Sequence, residues 1–168
     1  RGLGDVYKRQ MIGMIKENKE PEITMDKLDI EILKLLSGNA RMSFKQLSSA
    51  VGITSPAVKS RMEKMERDGI IRGYSLDLDT KSAGYMVTAF INIAVETSCK
   101  QEFDTFIQNC PNVVECYGIT GNYFALLKVI FRNTMDLDNF LHQIQKYGET
   151  STNIVLSTYK HTHTCIPD

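Results

Sequence analysis

The sequence contains no tryptophan, no C-x-x-C pair and no long apolar segment. None of its apolar runs approaches the roughly 20 residues that a membrane-spanning helix needs, so we expect no membrane partner. The N-terminus also lacks the charged, apolar and small-residue regions of a secretory signal. The four cysteines have no paired framework, which predicts reduced thiols (Cys99, Cys110, Cys116 and Cys165). We therefore expect a cytoplasmic protein.

The residue patterns of common enzyme classes are also absent. There is no Ser-His-Asp order, no catalytic pair of carboxylates and no glycine-rich phosphate loop, so we predict no enzymatic activity and no cofactor. Three potential zinc ligands occur in the segment His161-x-His163-x-Cys165. Since no fourth ligand accompanies them, we predict no metal and interpret this segment as a solvated tail.

The charges balance to zero overall, which by itself argues against a nucleic-acid partner. Their distribution is uneven. Residues 25–74 contain nine basic and six acidic side chains, whereas the remainder from Ser75 onward contains six basic and ten acidic. The nine basic residues are Lys27, Lys34, Arg41, Lys45, Lys59, Arg61, Lys64, Arg67 and Arg72. Such an asymmetry is expected when only the front half approaches phosphates.

Changes in pattern along the chain predict four segments. Residues 1–24 are interpreted as a flexible, partly non-native leader, because their first ten residues show no apolar period and Pro21 lies among charges. In residues 25–76, apolar side chains recur at the spacing of a helix. Residues 77–84 form a charged linker, and residues 85–168 alternate between strand and helix periods.

Three short helices are predicted in the first domain. The first begins at the N-cap Asp26 and stops at Gly38, and the second opens with a capping box of Ser43 and Gln46. The inner face of the second helix is expected to consist of Phe44, Leu47 and Val51.

A turn at Gly52 separates the second helix from the third. The third helix is predicted to start with Ser55 as N-cap and Pro56 at its first position, and to end at Gly69. Residues Ile70–Leu76 then read as a strand, a candidate for the wing of a winged helix-turn-helix.

The second domain has the order strand, helix, strand, strand, helix, strand. The strands are predicted from Tyr85 to Val95, Val113 to Ile119, Phe124 to Phe131 and Asn153 to Tyr159. This βαββαβ order predicts a ferredoxin-like α+β domain.

The outer side of the third helix indicates DNA binding. Its apolar residues Val58, Met62 and Met65 turn inward and leave polar side chains outside. A recognition helix reads bases with its first turns and contacts phosphates along its flanks. The predicted DNA-binding residues are Arg41, Ser43, Lys45, Ser55, Pro56, Lys59, Ser60, Arg61 and Lys64.

Different roles are expected for these residues. Small or polar groups at Ser55, Lys59 and Ser60 allow close approach to the major groove, whereas Arg61 and Lys64 reach backbone oxygens. Arg41, Ser43 and Lys45 anchor phosphate near the start of the second helix. The alternative interpretation is that these residues form the solvated faces of a structural domain.

An ordered series of motifs resembles the Lrp/AsnC family of feast/famine transcriptional regulators. In the first domain the motifs are Leu28-Asp29-x-x-Ile32-Leu33, Arg41-x-Ser43-x-x-x-Leu47-Ser48, Val51-Gly52-Ile53-Thr54-Ser55-Pro56-x-Val58-x-x-Arg61 and Gly69-Ile70-Ile71-x-Gly73-Tyr74. In the second they are Val114-Glu115-Cys116, Thr120-Gly121-x-Tyr123 and Leu126-Leu127-x-Val129. The resemblance covers about residues 25–161.

The resemblance implies a winged helix-turn-helix on double-stranded DNA and homodimers built through the α+β domain. It also implies higher closed assemblies such as octamers and regulation by an amino acid bound between dimers. The loop between the second and third strands is commonly involved. Transferred to this sequence, that loop comprises Thr120, Gly121, Asn122, Tyr123 and Phe124.

The predicted sheet also favours a dimer. A four-stranded sheet with two helices on one face leaves its other face, Met86, Thr88, Phe90 and Asn92 or the opposite set, in need of cover. A two-fold dimer closes it and places two recognition helices on half-sites about one helical turn, or a multiple of it, apart.

The ligand loop departs from the family pattern. Where the family usually has Gly-Asp-Tyr-Asp, this chain has Gly121-Asn122-Tyr123-Phe124, so both acidic positions are lost. An amino acid brings an ammonium group that requires a carboxylate. The turn either binds a different ligand, binds weakly, serves assembly, or is a plain hairpin connection.

Two other functions compete with DNA binding. Subunits of sirohaem decarboxylases resemble Lrp/AsnC proteins, but carry a His-Asn-Tyr run and a Trp-containing strand where this chain has Glu115-Cys116-Tyr117-Gly118 and Phe124-Ala125-Leu126-Leu127. The other is an assembly protein with a vestigial head that does not bind DNA. Retention of Ser55-Pro56, Lys59 and Arg61 argues against it.

Overall fold

The computed structural model describes residues 25–160 and Ile166. These residues form two compact units, which divide between Ser75 and Leu76. The first unit contains three helices, α1 (Lys27–Gly38), α2 (Phe44–Val51) and α3 (Ser55–Arg67). The second unit contains β1 (Val87–Val95), α4 (Lys100–Gln108), β2 (Val113–Gly118), β3 (Ala125–Phe131), α5 (Thr134–Ile144) and β4 (Gly148–Ile154). Short 3₁₀ turns precede α4 at Thr97–Cys99 and follow α5 at Gln145–Tyr147.

Side chains cap all three helices of the first unit. Asp26 and Asp29 form a capping box at α1, and Ser43 and Gln46 form one at α2, which confirms both predicted starts. The prediction for α3 was wrong by one residue. Thr54, and not Ser55, is its N-cap, because the Thr54 hydroxyl accepts from the backbone N–H of Ala57 at 3.4 Å.

A small apolar core holds the three helices together. Its buried residues are Ile32, Leu36, Leu47, Val58, Met62 and Met65. Phe44, predicted on the inner face of α2, is 41% exposed because it begins the helix at the edge of this core. Each helix therefore contributes apolar side chains at helical spacing to one common core.

The predicted wing strand at Ile70–Leu76 is not formed. Among residues 25–160 this segment has no neighbouring strand to pair with, and a strand requires a hydrogen-bonded partner. Ile70 and Ile71 pack against the helical core, and the Tyr74 hydroxyl donates to Glu66 Oε1 at 3.0 Å. The segment is thus tied to α3 by its side chains.

The second unit has the predicted ferredoxin-like topology. Its four strands form an antiparallel sheet in the order β2-β3-β1-β4. Alternate residues of β1, namely Val87, Ala89, Ile91 and Ile93, are buried with Phe103, Ile107, Leu137, Phe140 and Ile144 from α4 and α5. Both helices consequently cover the same face of the sheet.

The last strand lies earlier than predicted, at Gly148–Ile154 and not at Asn153–Tyr159. Gly148 pairs with Val95 and Ile154 pairs with Ala89. The stretch between them is polar, so apolar alternation does not reveal it. Gly148 enters the strand with φ 156°, and a Cβ there would lie 1.9 Å from the carbonyl oxygen of Ala94. Only glycine fits this position.

The face of the sheet opposite the helices carries Thr88, Phe90 and Asn92, the first of the two predicted sets. Lys128 Nζ lies 2.8 Å from Glu115 Oε1 on this face, and the Tyr117 hydroxyl donates to Glu115 Oε2 at 2.7 Å. The helices of the second unit leave this face open.

Candidate functional site

Helices α2 and α3 are joined by a tight turn at Gly52. Gly52 adopts a left-handed conformation with φ 73°, and the N–H groups of Gly52 and Ile53 both donate to the carbonyl of Ser48. The hydroxyls of Ser48 and Ser55 lie 3.1 Å apart across the turn. These bonds hold the first residue of α3 against α2, as in a helix-turn-helix.

Helix α3 presents a polar face outward. Val58, Met62 and Met65 are buried, and the opposite face exposes the predicted residues Pro56, Lys59, Ser60 and Lys64. Ser60 lies close to the centre of this face, because the angular spacing of 100° per residue places it nearly opposite the buried residues. An exposed helix with small and basic side chains has the shape and charge that a major groove accepts.

The structure gives Arg61 a role that the sequence prediction did not include. Its Nη1 donates to Asp26 Oδ2 at 2.6 Å and to Asp29 Oδ1 at 2.8 Å. Asp29 is the buried charged residue of the described chain, with 7% exposure. Arg61, expected to contact phosphate, therefore joins α3 to the start of α1. We call this contact the Arg61 clasp.

The Arg61 clasp depends on ionised carboxylates. The pKa of Asp26 is lowered, first by the bond that it accepts from the backbone N–H of Asp29 and then by Arg61. A lowered pKa means that the stabilisation from Asp26 is present at neutral pH and is lost as the pH falls through the folded-state pKa.

Among the described residues, the two exposed lysines of α3 have only weak partners. Lys59 Nζ is 3.8 Å from Glu63 Oε1, and Lys64 Nζ is 3.0 Å from Asp68 Oδ2, each one turn along the helix. Exposed pairs of this kind contribute at most about 1 kcal/mol, so a phosphate can replace the carboxylate.

The start of α2 offers a second basic group. Arg41 and Lys45 are exposed and have no ion pair within residues 25–160. Ser43, which was predicted to contact DNA, uses its hydroxyl in the capping box with Gln46. The site prediction omitted Arg67, which is exposed on the outer face of α3 without an ion pair among the described residues. Arg67 lies seven residues, or about two helical turns, after Ser60. Helical spacing alone therefore places both residues on the same face of α3.

In the second unit, the predicted ligand residues form the turn between β2 and β3. Gly121 adopts φ 114°, and the N–H of Phe124 donates to the carbonyl of Ile93 at 2.8 Å. The Phe124 ring packs edge-on against Phe103, and Lys100 Nζ lies 4.8 Å from its centroid. Thr120, Gly121 and Asn122 are exposed.

The described residues contain neither a cluster of metal ligands nor a membrane-spanning helix. Within the described residues, no three His, Cys, Asp or Glu side chains are grouped to hold a metal. His161, His163 and Cys165 lie outside those residues. No helix in the described part of the chain has the length and apolar character needed to cross a membrane.

Comparison with known proteins identifies both units. Residues 25–72 match the family model of the winged helix-turn-helix DNA-binding domain, and residues 88–164 match that of the Lrp/AsnC ligand-binding domain. The chain is 34% identical to the transcriptional regulator LrpA of Bacillus subtilis over 133 residues, which cover 79% of this chain and 98% of the relative.

Solved structures show the same architecture. E. coli AsnC aligns with a TM-score of 0.77 at 32% identity, covering 86% of this chain and 99% of that one. A transcriptional regulator of Neisseria meningitidis, solved in complex with L-Met, aligns with a TM-score of 0.78 at 28% identity, covering 83% and 94%. This chain belongs to the Lrp/AsnC family of helix-turn-helix transcriptional regulators.

Proposed function

We propose that the protein regulates transcription by binding specific DNA sequences through the outer face of α3. The observation that carries this proposal is the exposure of Pro56, Lys59, Ser60 and Lys64 on the side of α3 away from the core. Because the opposite side packs into the core, this exposed face can enter the major groove of DNA.

The exposed residues divide into two roles. Lys59 and Ser60 lie in the first two turns of α3, near which a recognition helix contacts base edges. Lys64 and Arg67 follow at the end of the helix, and Arg41 and Lys45 flank the start of α2, where contact with phosphates fits their charge. Arg61 acts differently, since the Arg61 clasp positions α3 relative to α1.

We further propose a homodimer that assembles through the open face of the sheet. Phe90 and Leu126 are half-buried on that face, and a second copy would shield both from water. A two-fold dimer doubles the number of recognition helices on one DNA site, which raises the effective affinity of a chain without net charge. Closed assemblies of dimers, such as an octamer, extend this arrangement.

The turn Thr120–Phe124 is the proposed effector site. The relative solved with L-Met supports an amino acid or a similar small molecule as the ligand class. Exposure of Thr120, Gly121 and Asn122 leaves the turn accessible.

A regulator of this family acts on DNA and not on a substrate, so we propose no enzymatic activity and a cytoplasmic location. The sirohaem decarboxylase alternative has no supporting feature in the described part of the second unit, where Glu115 and Tyr117 bond to each other on the open face. An assembly protein without DNA binding would have no need for Arg41, Lys45 and Arg67, which have no ion pair among residues 25–160.

Removing the phosphate-contacting charges is expected to change the salt dependence of binding. Lys64→Ala and Arg67→Ala should each weaken binding to all DNA sequences and reduce the slope of log K against log salt by about 1. Fluorescence anisotropy with a labelled duplex at several salt concentrations measures both quantities. Lys81→Ala, a surface lysine of the second unit, is the matched control and should leave the slope unchanged. Unchanged slopes for Lys64→Ala and Arg67→Ala would refute their assignment as phosphate contacts.

A further inference from the structure

The turn between β2 and β3 offers several backbone N–H groups that have no partner in the described part of the chain. Within residues 25–160, the backbone N–H groups of Thr120, Gly121, Asn122 and Tyr123 make no hydrogen bond to another backbone or side-chain group. The next N–H, that of Phe124, is the one committed to the Ile93 carbonyl. Consecutive free N–H groups at a glycine-containing turn favour a bound anion.

A positive charge lies beside the same turn. Lys100 Nζ is 4.8 Å from the centroid of Phe124 and has no ion pair within the described residues. Lys146 provides a contrast. It also lies over an aromatic ring, that of Tyr147, but its ammonium group is bound to Glu102 at 3.0 Å. Lys100 is thus a cation beside the turn that no carboxylate of the described chain neutralises.

No carboxylate is available within the turn itself. Residues Thr120–Phe124 contain no Asp or Glu. Glu96 follows β1, three residues after the Ile93 that accepts the Phe124 bond, and among the described residues its carboxylate makes no hydrogen bond or ion pair to the turn. A ligand ammonium group placed beside Lys100 would face a like charge, and the turn has no side chain to neutralise it.

We infer that the turn binds a small carboxylate that lacks an ammonium group, of the 2-oxo acid class, with Lys100 as the residue that selects it. The ligand carboxylate accepts from the free N–H groups of the turn and from Lys100 Nζ. The oxo group, unlike an amino group, is neutral and can also accept a hydrogen bond. This inference rests on the proposed function, because it specifies the ligand of the proposed effector site.

Paired ligands provide the test. Calorimetric titration of the full chain compares L-methionine with 4-methylthio-2-oxobutanoate, and L-leucine with 4-methyl-2-oxopentanoate. We expect each oxo acid to bind at least about tenfold more tightly than its amino acid, because the two share the carboxylate that Lys100 binds and differ only in the adjacent group, which is a like charge in the amino acid and neutral in the oxo acid. Binding to the operator duplex is measured in parallel, with and without each ligand.

Two lysine variants separate the contribution of Lys100 from a general charge effect. Lys100→Gln should weaken oxo-acid binding about tenfold or more and leave operator binding without ligand unchanged. Lys81→Gln removes the same charge from another surface position of the second unit and should change neither. Because Lys100 is exposed, its replacement is expected to leave the fold intact, which circular dichroism checks.

A third variant reverses the charge preference. Phe124→Asp introduces a carboxylate beside Lys100 and should shift the preference toward the amino acid of each pair. Its thermal unfolding is recorded, since Phe124 contacts Phe103. If the Phe124→Asp protein does not fold, the titration of Lys100→Gln alone tests the inference.

Three outcomes would overturn the inference. Tighter binding of the amino acids by the wild type contradicts it, above all if Glu96→Gln abolishes that binding. Oxo-acid binding that Lys100→Gln does not weaken contradicts the role of Lys100. Absence of binding by either ligand class contradicts the inference and leaves DNA recognition standing if the operator is still bound. Failure of the wild type to bind any duplex contradicts the proposed function instead.

Discussion

Replacement of Arg61 by alanine is expected to lower the free energy of unfolding of the helical unit by about 2 kcal/mol and to weaken binding to every DNA sequence. The variant leaves the carboxylate of Asp29, a buried residue with 7% exposure, without the guanidinium group that pairs with it. Breaking a fully buried pair costs more, but the Arg61 side chain retains 30% exposure, so solvent screens part of the loss. Chemical denaturation followed by circular dichroism measures the change.

The salt dependence of DNA binding distinguishes the Arg61 clasp from a phosphate contact. A lost phosphate contact reduces the slope of log K against log salt by about 1. A lost clasp disturbs the orientation of α3 while every side chain proposed to contact phosphate remains, so the slope should stay close to that of the wild type. Arg61→Ala therefore differs from Lys64→Ala in a single titration series.

Asp29→Asn is the matched control for the clasp. It keeps every basic side chain and removes one negative charge. Charge alone would therefore make DNA binding stronger. Because a neutral amide oxygen is a weaker acceptor than a carboxylate for Arg61 Nη1, we expect this variant to destabilise the helical unit in the same direction as Arg61→Ala. Full stability in both variants, or a reduced salt slope in Arg61→Ala alone, would contradict the clasp.

The second large effect is expected from Gly148→Ala. A Cβ at this position would lie 1.9 Å from the carbonyl oxygen of Ala94 and 2.8 Å from its carbonyl carbon, and both atoms belong to the backbone of the neighbouring strand. Neither can move without breaking the pairing of β4 with β1. With φ at 156° adding strain, we expect a loss of more than about 3 kcal/mol from the second unit. Thermal unfolding should show that the second unit unfolds at a lower temperature than in the wild type, or that it does not fold.

Gly38→Ala provides the comparison within the same chain. No atom lies within 4 Å of a Cβ built at Gly38, which is the last residue of α1 and has no positive φ. Alanine there should stabilise by up to about 1 kcal/mol. A Gly148→Ala protein that unfolds at the same temperature as the wild type would show that β4 does not approach β1 as described.

Local rules predicted most of the helix starts. The capping boxes at Asp26 and Ser43 are short-range pairs, each linking residues three positions apart, so their spacing alone identifies them. The start of α3 was shifted because Thr54 and Ser55 are both good N-caps and Pro56 is tolerated at either of the first two helical positions. The strand β1 was predicted because one buried face imposes strict alternation.

Features set by distant residues escaped prediction. The partners of Arg61 lie 35 and 32 residues away in sequence, and no spacing rule connects them. The polar strand β4 exists because β1 offers a free edge to pair with, and its own residues give no apolar signal. Family resemblance supplied the position of the proposed effector turn, whereas the cation beside it, Lys100, follows from how α4 packs near Phe124.

Selection from random duplexes shows whether the outer face of α3 reads DNA sequence, on which the proposed function depends. The purified full chain is used to enrich bound duplexes, in parallel with Lys59→Ala and Ser60→Ala. We predict a palindromic motif for the wild type and a changed preference within each half-site for the two variants. Absence of any enriched motif, or the same motif from all three proteins, would contradict sequence recognition by α3.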